Sequence, residues 1–320
     1  MLAAALATAV AVPAVGEAAG VEHGRIRTHD GYTVYYERVG HGPEFVLLPG
    51  RIFFEDTFRR LASPRRSLIF YDMRNRGLSE AVPDTDRISI HEDVRDLESV
   101  REHFRANRVA LVGFSYLGLM VVLYANDHPE HVTRIVQLGP LPLRQGKAYP
   151  PELDNRSDRG VFDEKKWEEL QKLEQKGFMK SHPREFCEKD WDFMRVMLVA
   201  NPPTHVERLS APCAMPNEWP VNLREHFRIL FTRSILPLDV SDEAVASKVT
   251  MPVLTIHGRK DRNAPYGGGR DWAALLPDAR LLTLDNAAHA SWADEPDSVV
   301  SAMDTFLQGS WPERAERVTR

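Results

Sequence analysis

The stretch Arg108-Val109-Ala110-Leu111-Val112-Gly113-Phe114-Ser115-Tyr116-Leu117-Gly118 joins two kinds of periodicity. Residues 108–113 are a short apolar run of the kind a buried strand shows, and Tyr116–Asp127 follows at once with helical character. The turn between them holds a serine flanked by small residues, which let strand and helix approach closely. A serine at such a junction presents its hydroxyl above the sheet. The helix start beside it offers amides and a positive dipole end, both suited to a developing negative charge. A serine that merely caps a helix would look the same here, so its partners must decide.

Two later strands end in residues that fit a proton relay with Ser115. The run 253–257 leads into Gly258-Arg259-Lys260-Asp261. An acid just past a strand end is held rigidly and can steady a charged imidazole. The run 280–284 leads into Asn286-Ala287-Ala288-His289-Ala290, where a loop histidine can take a proton and return it. Asp285 is a rival acid, close to His289 in sequence. Earlier, Val46-Leu47-Leu48-Pro49-Gly50-Arg51 runs from a strand into a sharp turn. The backbone amides of Arg51 and Tyr116 are the candidate oxyanion donors, although an ordinary Pro-Gly turn would also read this way.

Working outward, residues 33–38 alternate as a strand, while 44–48 and 67–72 are apolar runs. In 91–104, Val94, Leu97, Val100 and Phe104 share one helical face, and 134–138 is a strand again. Alternation of strand and helix from 44 to 138, resumed after 246 and closed by a helix at 297–307, predicts an α/β fold. Its mostly parallel central sheet is flanked by helices. Between the two halves, residues 140–245 hold clustered prolines, a highly charged helix at 163–176 and three tryptophans. A structureless loop of that length would be anomalous, so an inserted helical cap is expected. The expected division is core 21–139, cap 140–245, core 246–310 and a surface tail 311–320.

The chain of 320 residues is 43% apolar and 27% charged, which suits a globular core and excludes wholesale disorder. Net charge is −5 and no Lys/Arg run exceeds two residues, so no nucleic-acid partner is expected. Two cysteines, Cys187 and Cys213, rule out a disulfide scaffold, and no Cys/His cluster has zinc spacing. Residues 1–16 carry no side-chain charge, and 2–12 are apolar but short of the ~20 residues a bilayer span needs. Residues 1–20 therefore read as a signal peptide without a basic start, or as an alanine-rich amino terminus. The first reading implies export to the periplasm or medium, with no stable membrane span after processing. The second implies a cytoplasmic protein. Export would permit Cys187 and Cys213 to pair, but their spacing does not require it.

The order Ser115…Asp261…His289 resembles that of the α/β-hydrolase superfamily. So does Asp72-Met73-Arg74-Asn75-Arg76-Gly77-Leu78-Ser79, similar to the fold's Asp-x-Arg-x-x-Gly-x-Ser segment, and so does Asp294-Glu295-Pro296 after His289. Within the superfamily the chain looks most like proline iminopeptidase-like serine hydrolases, through 182–187 and Trp191. Its Pro49-Gly50-Arg51-Ile52-Phe53 and Gly113-Phe114-Ser115-Tyr116-Leu117 depart from that group's His-Gly-Gly-Pro-Gly and Gly-Gly-Ser-Trp-Gly. Asp72, Arg74 and Arg76 read as a turn whose charges partner one another.

The resemblance implies a small-molecule ester or amide substrate, cleaved by a Ser-His-Asp triad through an acyl-enzyme without metal or organic cofactor. A serine at 115 disfavours the aspartate-nucleophile chemistry of haloalkane dehalogenases and epoxide hydrolases. Esterase or lactonase and iminopeptidase-like aminopeptidase are the competing activities. A non-catalytic hydrolase-fold binding protein is the third reading. Phe53, Trp191, Trp219 and Trp292 are candidate substrate contacts. Trp167, Phe178, Phe193 and Phe227 would line the same pocket or form the cap's own core. Glu168, Glu169, Glu185 and Glu188 would bind a substrate amine or face solvent.

Overall fold

In the computed structural model, residues 20–241 and 243–319 are described. The signal-peptide expectation for 1–20 falls almost wholly outside them. The strands are β1 (Val21–Arg27), β2 (Thr33–Val39), β3 (Glu44–Pro49), β4 (Arg66–Tyr71), β5 (Val109–Phe114), β6 (Val132–Leu138), β7 (Val253–Gly258) and β8 (Ala279–Leu284). They form one sheet in the order β1-β2-β4-β3-β5-β6-β7-β8. The first two pairings, β1 with β2 and β2 with β4, are antiparallel, and every later one is parallel.

Both faces of the sheet are covered, so the parallel strands read as continuous apolar runs rather than alternating ones. All six residues of β5 and of β7 are buried. On β3, Leu47 packs into one layer while Val46 and Leu48 pack into the other. Complete burial of each such side chain contributes about 1.5–3 kcal/mol.

Helix α1 (Ile90–His103) starts where the Ser89 hydroxyl accepts from the Glu92 amide. It buries Val94, Leu97 and Val100 on one face. Helix α2 (Tyr116–Asp127) is buried along nearly all its length, which explains its lack of a polar face.

Between β6 and β7 the chain forms helices and short turns, including α3 (Glu164–Gln175), α4 (Pro183–Leu198) and α5 (Pro220–Leu230). Asp163 caps α3 by accepting from the amides of Lys165 and Lys166. This insertion has a small core of its own, Leu170, Phe186 and Phe193, with Trp167 and Phe178 packed against it. Cys187 and Cys213 are bridged, closing a 26-residue separation inside the insertion. Helices α6 (Tyr266–Leu275) and α7 (Pro296–Leu307) complete the second half of the core. In the last segment Ala315 packs into the core, and Glu316 pairs with Leu281 on the outer strand β8. Among the described residues no helix is long and apolar enough to cross a membrane.

Candidate active site

The serine turn is held in a conformation that L-residues rarely adopt. Ser115 has φ 56° and ψ −124°, at a local cost of about 1–3 kcal/mol. The surroundings impose it: the Ser115 amide donates to Leu138 O at 3.0 Å, and its carbonyl accepts from the Gly118 amide at 3.0 Å. Gly113 is required by proximity, because a Cβ there would sit 2.3 Å from Leu117 O. The glycine pair therefore does its close-packing work at 113 and 118, while Leu117, in the position between, is buried.

His289 and Asp261 meet in the loops after β8 and β7. His289 Nδ1–H donates to Asp261 Oδ2 at 2.7 Å, and both side chains are buried. The other oxygen, Oδ1, accepts from the amides of Asn263 at 2.7 Å and Ala264 at 2.9 Å. Burial alone would raise the Asp261 pKa. The adjacent His289 charge and the hydrogen bonds from His257 and His289 outweigh it, holding the carboxyl well below the usual carboxylate range. The rival Asp285 is exposed and paired with Arg259 at 3.0 Å. Phe114 links the serine turn to the histidine, its ring centroid 4.5 Å from that of His289. Among the described residues Ser115 Oγ makes no hydrogen bond. Serine–imidazole bonds are commonly loose in the absence of substrate.

Gly50, with φ 82°, turns the chain from β3 into a short 3₁₀ turn beginning at Arg51. The Tyr116 amide, first in its helix, has no earlier carbonyl in helical register to bond. The Arg51 side chain is buried on Asp72, at 2.9 Å, and on Glu37, at 3.2 Å. The expectation that Asp72, Arg74 and Arg76 partner one another is therefore wrong. Arg74 bonds Asp96 at 2.6 Å and Asp30 at 3.0 Å, and Arg76 bonds Glu218 of the insertion at 2.8 Å. Each guanidinium reaches past its sequence neighbours to a carboxylate on another segment, where a fork-shaped pairing fits.

Three of the four candidate substrate contacts come together. Phe53, Trp191 and Trp292 line a cavity of about 70 Å³, with Phe114 and Ala290 bringing it beside the serine turn and His289. Trp219 does not join them: its indole donates to Cys213 O at 3.0 Å, which turns it into the disulfide region. Trp167, Phe178 and Phe193 belong to the insertion's own core, and Phe227 packs on Tyr116 and under Arg76. The four candidate amine-binding acids, Glu168, Glu169, Glu185 and Glu188, are all exposed.

Two supporting acids escaped sequence reasoning. Asp294 is buried and accepts from the Ala288 amide at 2.8 Å, the Ala200 amide at 3.0 Å and His205 Nδ1 at 2.6 Å. It fixes the histidine loop against the insertion, and only its place soon after His289 hinted at a role. Glu218 takes both Arg76 and the Gly77 amide, and nothing in the sequence marks it. Away from the site, His29, Asp30 and Glu92 place donor atoms within 4.8 Å of one another, as a metal group requires. Arg74 and Arg95 already bond two of their carboxylates.

A family model for the alpha/beta hydrolase fold matches residues 47–296. The chain belongs to that family and is an enzyme of this fold. It is 23% identical over 306 residues to a proline iminopeptidase of Xylella fastidiosa, covering 89% of this chain and 96% of the relative. It is 28% identical to the mouse (Mus musculus) serine hydrolase BPHL, over 44% of this chain and 48% of that protein. Among solved structures, the esterase EaEST from Exiguobacterium antarcticum superposes with a TM-score of 0.66 at 18% identity, covering 89% of this chain and 99% of that one.

Proposed function

We propose that the protein is a serine hydrolase that cleaves an ester bond of a small, largely apolar substrate through an acyl-enzyme. The observation that carries this is the buried 2.7 Å Asp261–His289 bond at the sheet edge that also holds Ser115 in its strained turn. His289 Nε2 takes the Ser115 proton as Oγ attacks the carbonyl carbon. The Arg51 and Tyr116 amides receive the oxyanion, each such donor contributing about 3 kcal/mol to the transition state. Collapse expels the alcohol, which leaves with the proton from His289. Water then repeats the sequence and frees the acid. Asp261 keeps the imidazole oriented and stabilises its charged form. No step calls for a metal or organic cofactor.

The small aromatic cavity supports a short acyl group. Ester is favoured over aminoacyl amide because none of the four candidate amine-binding acids lines the cavity, and the acid that does, Asp56, accepts from the Ser210 hydroxyl at 3.2 Å. A proline iminopeptidase-like activity remains the second reading, supported by similarity along nearly the whole chain to such an enzyme. The test is release of p-nitrophenol from acetyl and butyryl esters, set against release of proline from a prolyl amide. Ester turnover without prolyl release is expected. Prolyl release with inert esters would replace the first reading by the second.

A further inference from the structure

Asp261 Oδ2 is shared by two imidazoles. His289 Nδ1 lies 2.7 Å from it, and His257 Nε2, from the end of β7, lies 3.1 Å from the same atom. Oδ1 is already filled by two amides, so the carboxylate plane is fixed and the imidazoles divide the one remaining oxygen. A carboxylate oxygen only accepts, so His257 carries its proton on Nε2. Its Nδ1 is buried with no hydrogen-bond partner among the described residues, and the side chain is fully buried.

The neighbouring helix makes room for that ring. A Cβ at Gly269 would sit 2.3 Å from His257 Nδ1. Glycine inside α6 costs the helix about 1 kcal/mol relative to alanine, and the imidazole occupies the space so left.

We propose that His257 is a positioning residue of the reaction: its Nε2–H shares Asp261 Oδ2 with His289 and so sets how strongly that oxygen holds the catalytic imidazole. The proposal rests on the assignment of Asp261 and His289 as orienting acid and base. A second donor draws charge from Oδ2 and weakens its pull on the first donor. With His257 withdrawn, the buried oxygen has one side-chain donor left. It then binds the protonated form of His289 more tightly, so the base gives up its proton only at higher pH. Other titratable groups face this pair: Tyr266 on α6, whose ring lies 5.7 Å from that of His257, and Asp154 and Arg156, which lie within electrostatic reach of Asp261 and bond each other at 2.7 Å. None of them is altered in the variants below.

The experiment compares wild type, His257→Asn and His257→Gln. Asparagine keeps a polar side chain of modest size but is too short to reach Oδ2, whereas the glutamine amide reaches about as far as Nε2. Nitrogen-15 NMR follows the His289 imidazole through its titration, which requires no turnover. The kcat/KM profile on p-nitrophenyl butyrate is recorded in parallel, with thermal midpoints to verify folding.

In His257→Asn, the His289 titration and the acid limb of the profile are expected to move together to higher pH, with about a threefold rise in proton affinity. kcat should fall about tenfold with KM changed less than about twofold, and His257→Gln should restore the profile. A folded His257→Asn with an unmoved His289 titration overturns the proposal. If that variant does not fold, His257→Leu, which leaves Asp261 Oδ2 with the His289 donor alone, takes its place and is read in the same way. If the titration moves as expected but wild type turns over no ester, the positioning role stands and the esterase reading falls.

Discussion

The sheet and the helical insertion above it are held together by different means. Leu47, Val112, Val136 and Ile256 are wholly buried in layers that run the length of the sheet. The insertion buries Leu170, Phe186 and Phe193, then relies on the Cys187–Cys213 bridge and the Arg76–Glu218 pair to hold its shape and place. Small assemblies bury too little apolar area to stand on packing alone, and covalent or ionic ties compensate.

The two regions also treat buried acids differently. Glu218, in the insertion, is met by a guanidinium and an amide. Asp93, in the core, leaves Oδ2 without a hydrogen-bond partner among the described residues, and burial together with the nearby Asp96 charge pushes it up to about 8. The side chains proposed for the chemistry come from the core, while the cavity wall is shared between core and insertion.

Four substitutions act differently on the two regions. His289→Ala strikes the core's chemistry and removes a buried ring packed on Phe114. Turnover should fall by about 10⁴-fold or more while the protein still unfolds in one cooperative transition. Arg76→Ala strikes the tie between the regions. It leaves Glu218 buried and uncompensated, and urea unfolding should show a loss of about 3–5 kcal/mol. Replacing Cys187 and Cys213 together by alanine removes the insertion's staple. A loss of about 2–4 kcal/mol is expected, with hydrogen exchange rising in α4 and not in β5.

Asp93→Asn gives the smallest effect and the one with a pH signature. A carboxyl raised by folding binds its proton more tightly in the native state. Its contribution to stability is therefore full below the ordinary carboxylate range and drains away as pH rises toward about 8. Asp93→Asn should gain on wild type between pH 4 and pH 9, by about 2 kcal/mol or less, measured as the difference in thermal stability.

Much of the core was legible in the sequence because local pattern and global fold agree there. The apolar runs at 44–48, 108–113 and 253–257 became β3, β5 and β7 within a residue or so. Strand β1 was missed, since an edge strand with Ile26 as its sole buried apolar residue gives no alternation to read. Helix α6 was missed because Gly267, Gly268 and Gly269 mask its propensity. At the candidate site, the meeting of Asp261 and His289 was legible because each follows its own strand. The disulfide, the Arg76–Glu218 pair and the three donors on Asp294 were not, because they join segments whose proximity only tertiary packing creates. Trp219 was misplaced for the same reason: an aromatic residue's identity carries no direction.

Intact-mass analysis after exposure to a fluorophosphonate reads directly whether Ser115 is a nucleophile activated by His289. One phosphonyl adduct should appear on wild type, map to Ser115, and be absent from Ser115→Ala. A folded wild type that gains no adduct, or that carries it on another residue, would contradict the account.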